Sequence, residues 1–168
     1  PVNVSLINFN NSNFSMSKNE DLWYFVWNTS LNAEKQYNIT IFFNDSLGFS
    51  NRNTLLDITV DNTKPNISNP TTQANSRNFI SPGFVFNATV AANDTNLLNV
   101  TCLLNGITKT YFANISNTTF ICNLTAPAAE GDFEITFSAI DKANNTNTTT
   151  INFTTKHSTS AAFTPKDA

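Results

Sequence analysis

Apolar and polar residues alternate along this chain with a period of two. In FVFNATVAA, Phe84, Phe86, Ala88 and Val90 fall on one face, with Asn87 and Thr89 on the other. LLNVTCLL groups Leu98, Val100 and Cys102, and TTFICNLT groups Phe120, Cys122 and Leu124. DFEITFSAID aligns Phe133, Ile135, Phe137 and Ala139, and TTINFTT aligns Ile151 and Phe153. The first residues, PVNVSLINFN, already alternate, with Val2, Val4 and Leu6 set against Asn3 and Ser5. Successive side chains of a strand point to opposite faces, so these runs predict half-buried antiparallel strands separated by Asn, Asp, Pro and Gly turns. No helical period of useful length competes with them. Many short strands in one chain imply an all-β sandwich or barrel.

The pattern repeats. NVSLI at 3–7 returns as NVTCL at 99–103, an offset of 96 residues. At that offset Thr29 falls on Thr125, and YNITIFFND (37–45) falls on FEITFSAID (133–141). Leu56, Ile58 and Val60 match Ile151, Phe153 and Thr155 after a one-residue adjustment, which we place in a shorter turn. Leu6 and Val26 then stand where the second copy has Cys102 and Cys122. PNISNP and FVFNATVAA have no counterpart ahead of Pro1, so the first copy is two strands short. Residues 1–62 are therefore expected to form an incomplete domain, completed by a neighbouring segment or subunit, and 63–156 a complete one. The tail 157–168 is a candidate linking or donor strand: its Ala162, Thr164 and Pro165 fall where the second copy has Ile67, Asn69 and Pro70.

Three stretches carry a family resemblance: TVDNTKPNIS between the copies, and NDSLGFSN and AIDKANNTN at the penultimate turns. They resemble the Ig-like repeat domains of bacterial and archaeal cell-surface glycoproteins. In those arrays a Val-Asp-Asn-Thr-x-Pro linker leads from one domain into the next. The family's late turn reads Asp-x-x-Gly-Asn. Here it is Asp45-Ser46-Leu47-Gly48 in one copy and Asp141-Lys142-Ala143-Asn144-Asn145 in the other, with Asn144 at a left-handed position that Asn tolerates. Lys35-Gln36 departs from the family's usual Asp-Gly before the aromatic. The resemblance implies two tandem Ig-like β-sandwiches, the first lacking its two N-terminal strands. It also implies extended arrays with structural or adhesive roles and no catalysis.

Composition narrows the function. Charged residues are 12 % of the 168, and the net charge is −3, too little to recruit nucleic acid or an anionic membrane surface. No apolar run approaches the ~20 residues of a membrane span. Solubility rests on Asn, Thr and Ser, and these spell sixteen N-x-S/T acceptor motifs. They are Asn3, Asn10, Asn13, Asn28, Asn38, Asn44, Asn66, Asn87, Asn93, Asn99, Asn114, Asn117, Asn123, Asn144, Asn147 and Asn152. Chance at this composition gives roughly six or seven. Dense N-glycosylation of an exported chain explains the excess, and compositional drift is the alternative. Strand alternation turns Asn3, Asn38, Asn87, Asn99, Asn123 and Asn152 outward. Asn66 lies at the junction and most others in turns. Asn28 conflicts with this scheme, because a register that buries Val26 buries it too.

Cys102 and Cys122 read as a disulfide in an exported chain, with two buried thiols as the alternative. LWYFVW (22–27) is apolar on both faces. One face is core, and Trp23, Phe25 and Trp27 form a candidate aromatic contact face for a neighbouring domain, a subunit, a glycan or a ligand. Asp45, Asp61 and Asp94 at strand ends suit Asx turns, or less simply an interdomain calcium ion. His157 stands alone, no catalytic set is visible, and no metal or other cofactor is expected beyond covalent N-linked glycans. The expected function is a non-enzymatic extracellular structural protein: a subunit or repeat of a cell-surface filament or layer whose partners are copies of itself. The alternative is an adhesin or carbohydrate-binding module built on the aromatic face.

Overall fold

The structure, a computed structural model, describes residues 2–73, 79–109, 113–116 and 118–157, without the side chains of 2–4, 108, 109 and 113–116. The tail 158–168 and Asn117 lie outside the described residues, as do the side chains of Asn3 and Asn114. The chain divides into two compact units, Pro1–Thr63 and Lys64–Ala168.

Unit 1 contains β1 (Val2–Phe9), β2 (Ser12–Ser15), β3 (Ser17–Asn19), β4 (Leu22–Tyr24), β5 (Lys35–Asp45) and β6 (Ser50–Val60). One 3-10 turn, Thr29–Leu31, precedes β5. An antiparallel sheet runs in the order β2-β1-β5-β6, and β3 pairs only with β4. Unit 2 contains β7 (Asn66–Thr72), β8 (Phe79–Ile80), β9 (Val85–Asn93), β10 (Leu97–Leu104), β11 (Ile107–Lys109), β12 (Ala113–Ser116), β13 (Thr119–Thr125), β14 (Gly131–Asp141) and β15 (Thr146–Thr155). Its two sheets run β11-β10-β14-β15-β8 and β12-β13-β9-β7. The chain is all-β, and no α-helix occurs among the described residues.

The core of unit 2 lies between its sheets. Phe86, Ala88, Val90 and Ala92 from β9 and Leu124 from β13 meet Val100, Ile135, Phe137, Ala139 and Phe153 from the other sheet. The Cys102–Cys122 disulfide joins β10 to β13 across that core, with the Cα atoms 6.5 Å apart. Two apolar residues fall outside the expected pattern. Phe84 precedes β9 and stays 54 % exposed. Leu98 is 61 % exposed because the ladder to β14 is interrupted between Leu97 and Asn99, and the extra residue turns Leu97, not Leu98, toward the core.

The strands of unit 1 match β10 to β15 in order and pairing. The β2-β1-β5-β6 sheet corresponds to β11-β10-β14-β15, and β3-β4 to β12-β13. Among the described residues, nothing in unit 1 corresponds to β7, β8 or β9. The hairpin turns coincide in detail. Asp45 N–H donates to the Phe49 carbonyl at 2.9 Å and Asp141 N–H to the Asn145 carbonyl at 3.1 Å. Gly48 and Asn144 take φ of 87° and 71° at the same turn position. The turns are thus equally long, which corrects the expected shortening. The odd residue is instead a bulge within β6, where Leu56 and Asp57 together oppose Asn38. Asp57 adopts φ 57°, and its N–H donates to Asn38 Oδ1 at 3.2 Å. Leu55, not Leu56, therefore stands where unit 2 has Ile151.

The first strand is shifted as well. Ser5 pairs with Phe43 as Val100 pairs with Ala139, so β1 follows β10 at an offset of 95. Ser5, Ile7 and Phe9 are buried, while Leu6 is only half-buried. Ser5 tolerates burial because its hydroxyl donates to Met16 Sδ at 3.0 Å. Val26 is 81 % exposed. Leu6 and Val26 thus do not take the places of the two cysteines. Ile7 is the counterpart of Cys102, and Phe9 and Ile39 centre a separate core with Phe14, Met16, Phe25, Trp27, Ile41 and Ile58 around it.

Candidate functional site

Among the described residues, the apolar face of unit 1 is less covered than its counterpart in unit 2. In unit 2, Phe137 and Ala139 on β14 are 1 % and 0 % exposed, and Ile151 on β15 packs against the same core. Ile67 from β7 and four residues from β9 close that core from the facing sheet. At the matching positions of unit 1, Ile41 and Phe43 are only half-buried and Leu55 is 47 % exposed. Among the described residues, eight of the twelve large exposed hydrophobics lie in residues 1–63, among them Leu22, Tyr24, Val26, Leu47 and Phe49. Scattered apolar residues are normal on a surface, but a concentration in the smaller unit is not.

One polar residue on this face is already posed. In unit 2, Asn147 Oδ1 accepts from Thr148 N–H at 3.0 Å, and its Nδ2 donates to the Pro65 carbonyl at 3.0 Å, fastening the chain as it enters β7. Asn51 holds the same register opposite Phe43 that Asn147 holds opposite Ala139. Its Oδ1 likewise accepts from the next N–H, that of Arg52, at 2.8 Å. Its Nδ2 has no partner among the described residues. Sequence reasoning missed Asn51, although the repeat offset places it on Asn147 and could have found it.

The acceptor asparagines form the second feature. Of the thirteen whose side chains are described, Asn10, Asn13, Asn28, Asn38, Asn44, Asn66, Asn93, Asn123, Asn144 and Asn152 are exposed, and Asn87, Asn99 and Asn147 are half-buried. None is buried. The conflict at Asn28 disappears because Val26 faces outward with it. Asn28 caps the 3-10 turn, its Oδ1 accepting from Ser30 N–H at 3.1 Å and Ser30 Oγ–H at 2.7 Å.

The remaining candidates have structural partners. Trp27 packs tilted against Phe9 with centroids 4.6 Å apart and meets Tyr37 edge-on at 5.1 Å, and its indole N–H donates to Asn32 Oδ1 at 2.8 Å. Phe25 lies 5.9 Å from Phe9. Trp23 is half-buried, with Lys18 Nζ 5.9 Å over its ring. The aromatic row thus turns inward, and the outward row of that strand is Leu22, Tyr24 and Val26. Asp45 Oδ1 accepts from Leu47 and Phe49 N–H at 2.9 Å, Asp61 Oδ1 from Thr63 N–H at 3.2 Å and Asp94 Oδ1 from Asn96 N–H at 2.6 Å, all turn contacts. Asp141 is fully buried and spends both oxygens on Asn145. An open groove of about 560 Å³ in unit 2 is lined by Asn105, Asp132, Phe133, Glu134 and Asn152. Its carboxylates accept from Thr154 and Thr136. His157 uses its backbone N–H to bind Glu130 Oε1 at 2.7 Å. No helix among the described residues is long and apolar enough to cross a membrane.

No protein-family model matches the chain, and no curated protein matches it. One solved structure that it resembles is the Bacteroides ovatus mixed-linkage glucan utilization locus SGBP-B in complex with mixed-linkage heptasaccharide. The match has 18 % identity and a TM-score of 0.28, and covers 91 % of this chain but 37 % of that one. Superposition that loose supports no inference about ligand or role.

Proposed function

We propose that this chain is a non-enzymatic, exported, densely N-glycosylated structural protein: a subunit or repeat of a cell-surface filament or layer, in which unit 1 is completed by strands from a neighbouring segment or subunit. The less covered apolar face of unit 1 carries the reading. Ile41, Phe43 and Leu55 stand where unit 2 is sealed by β7 and β9, and β4, the counterpart of β13, pairs only with β3, so its other edge is a template for an added strand that would cover this face. Asn51 offers a free donor where Asn147 grips the carbonyl of an entering strand. The acceptor asparagines supply the other half of the reading. Sugars on them would hydrate a surface that is short of charge and shield its sheet edges.

The test is the assembly state of the full chain, read by sedimentation and electron microscopy, beside a Phe43→Asp/Leu55→Asp variant. The native chain is expected to associate, and the variant to remain monomeric with unit 2 still folded. A native chain that stays monomeric at every soluble concentration overturns the assembly reading. An intact mass equal to that of the bare polypeptide overturns the glycoprotein reading.

A further inference from the structure

We infer that Asn87 and Asn123 act as one glycan site: Asn123 carries the sugar, and Asn87 stays unmodified and holds the amide of Asn123 in place. This rests on the glycoprotein reading above and names how one pair of its acceptors is used.

The two residues face each other across the β9–β13 ladder. Directly opposed residues have Cβ atoms about 5 Å apart, closer than two substituted sugar rings can sit side by side. Asn123 Nδ2 donates to Asn87 Oδ1 at 3.0 Å. Three differences select Asn123. It is exposed, whereas Asn87 is half-buried. Gln73, just past the end of β7, lies against Asn87: its Oε1 accepts from Asn87 N–H at 3.0 Å and its N–H donates to the Asn87 carbonyl at 3.1 Å. The hydroxyl of its motif, Thr89 Oγ1, is shared with Thr71 Oγ1, while Thr125, the matching residue for Asn123, is exposed.

The chemistry preserves the contact. With a glycosyl phosphate as donor, the sugar C1–oxygen bond breaks and the phosphate leaves. The Nδ2–C1 bond forms, and Nδ2 gives up one of its two protons. One proton remains on Nδ2, enough for a bond to Asn87 Oδ1.

Site-resolved glycopeptide mass spectrometry on the protein from its own cells tests this. Asn123 is expected to be filled to the level of Asn10, Asn38 and Asn152, with Asn87 several-fold lower. A Thr125→Ala variant removes the acceptor motif at Asn123 but leaves both amides. In that variant, Asn87 occupancy is expected to rise several-fold, because its neighbour no longer crowds it. Occupancies at the two sites that sum to more than one per chain, or no rise at Asn87 in the variant, overturn the inference while leaving the glycoprotein reading intact. A chain bare at every exposed motif overturns both.

Discussion

Asn147, half-buried, fastens the first residues of unit 2 to its last strand through one 3.0 Å hydrogen bond, from its Nδ2 to the carbonyl of the fully buried Pro65. Unlike the exposed Asn123, this amide is half-buried against Pro65 and leaves a sugar little room, so we predict that Asn147 carries no glycan although its motif is intact, and glycopeptide mapping checks this. Asn147→Ala should cost unit 2 about 1 kcal/mol in denaturant unfolding, the usual net worth of such a bond. Facing was legible from alternation at Asn38, Asn87, Asn123 and Asn152. It failed at Asn28, where the error lay in the assumed burial of its neighbour Val26. Which amide nitrogens are engaged was not legible, because Asn147 is tied to Pro65, a residue 82 positions away.

At the scale of the strand, single extra residues decide which side chains are inside. β1 buries Ile7 and Phe9, not Leu6. Phe9→Ala is therefore expected to cost unit 1 about 3 kcal/mol and Leu6→Ala about 1 kcal/mol, measured by denaturant melts. Equal costs would return Leu6 to the core. Bulges at Leu98 and at Leu56–Asp57 explain the other slips. A period-two pattern says nothing about where a ladder skips, since a skip reverses the faces on one side of it only. Asp57, at φ 57°, was the available hint, because Asp is among the few residues that enter the left-handed region readily. The strands of unit 2 were legible from alternation because its ladders are regular for long stretches, as from Gly131↔Thr155 to Ile140↔Thr146. The disulfide closes a 20-residue separation between the sheets. Replacing both cysteines with Ala should lower the stability of unit 2 by about 3 kcal/mol, and reductant should have no effect on that variant.

Across the whole molecule, the all-β class and the repeated strand order could be read from sequence. The state of the first core could not, since Ile41, Phe43 and Leu55 look as apolar as their covered counterparts. What distinguishes them is what lies above them, and that is a property of other strands. A core that had to be finished by another chain would make folding a mass-action problem. If unit 1 is closed by strands from a copy, its folded form gains RT ln(1 + [L]/Kd), about 2.7 kcal/mol at a hundred times Kd. Calorimetry over a dilution series should then show the unit 1 transition climbing with protein concentration while that of unit 2, closed by its own β7 and β9, stays put. On that proposal dilution itself would become a disassembly signal: a subunit that drifts away from its fellows would lose not only its neighbours but part of its own stability.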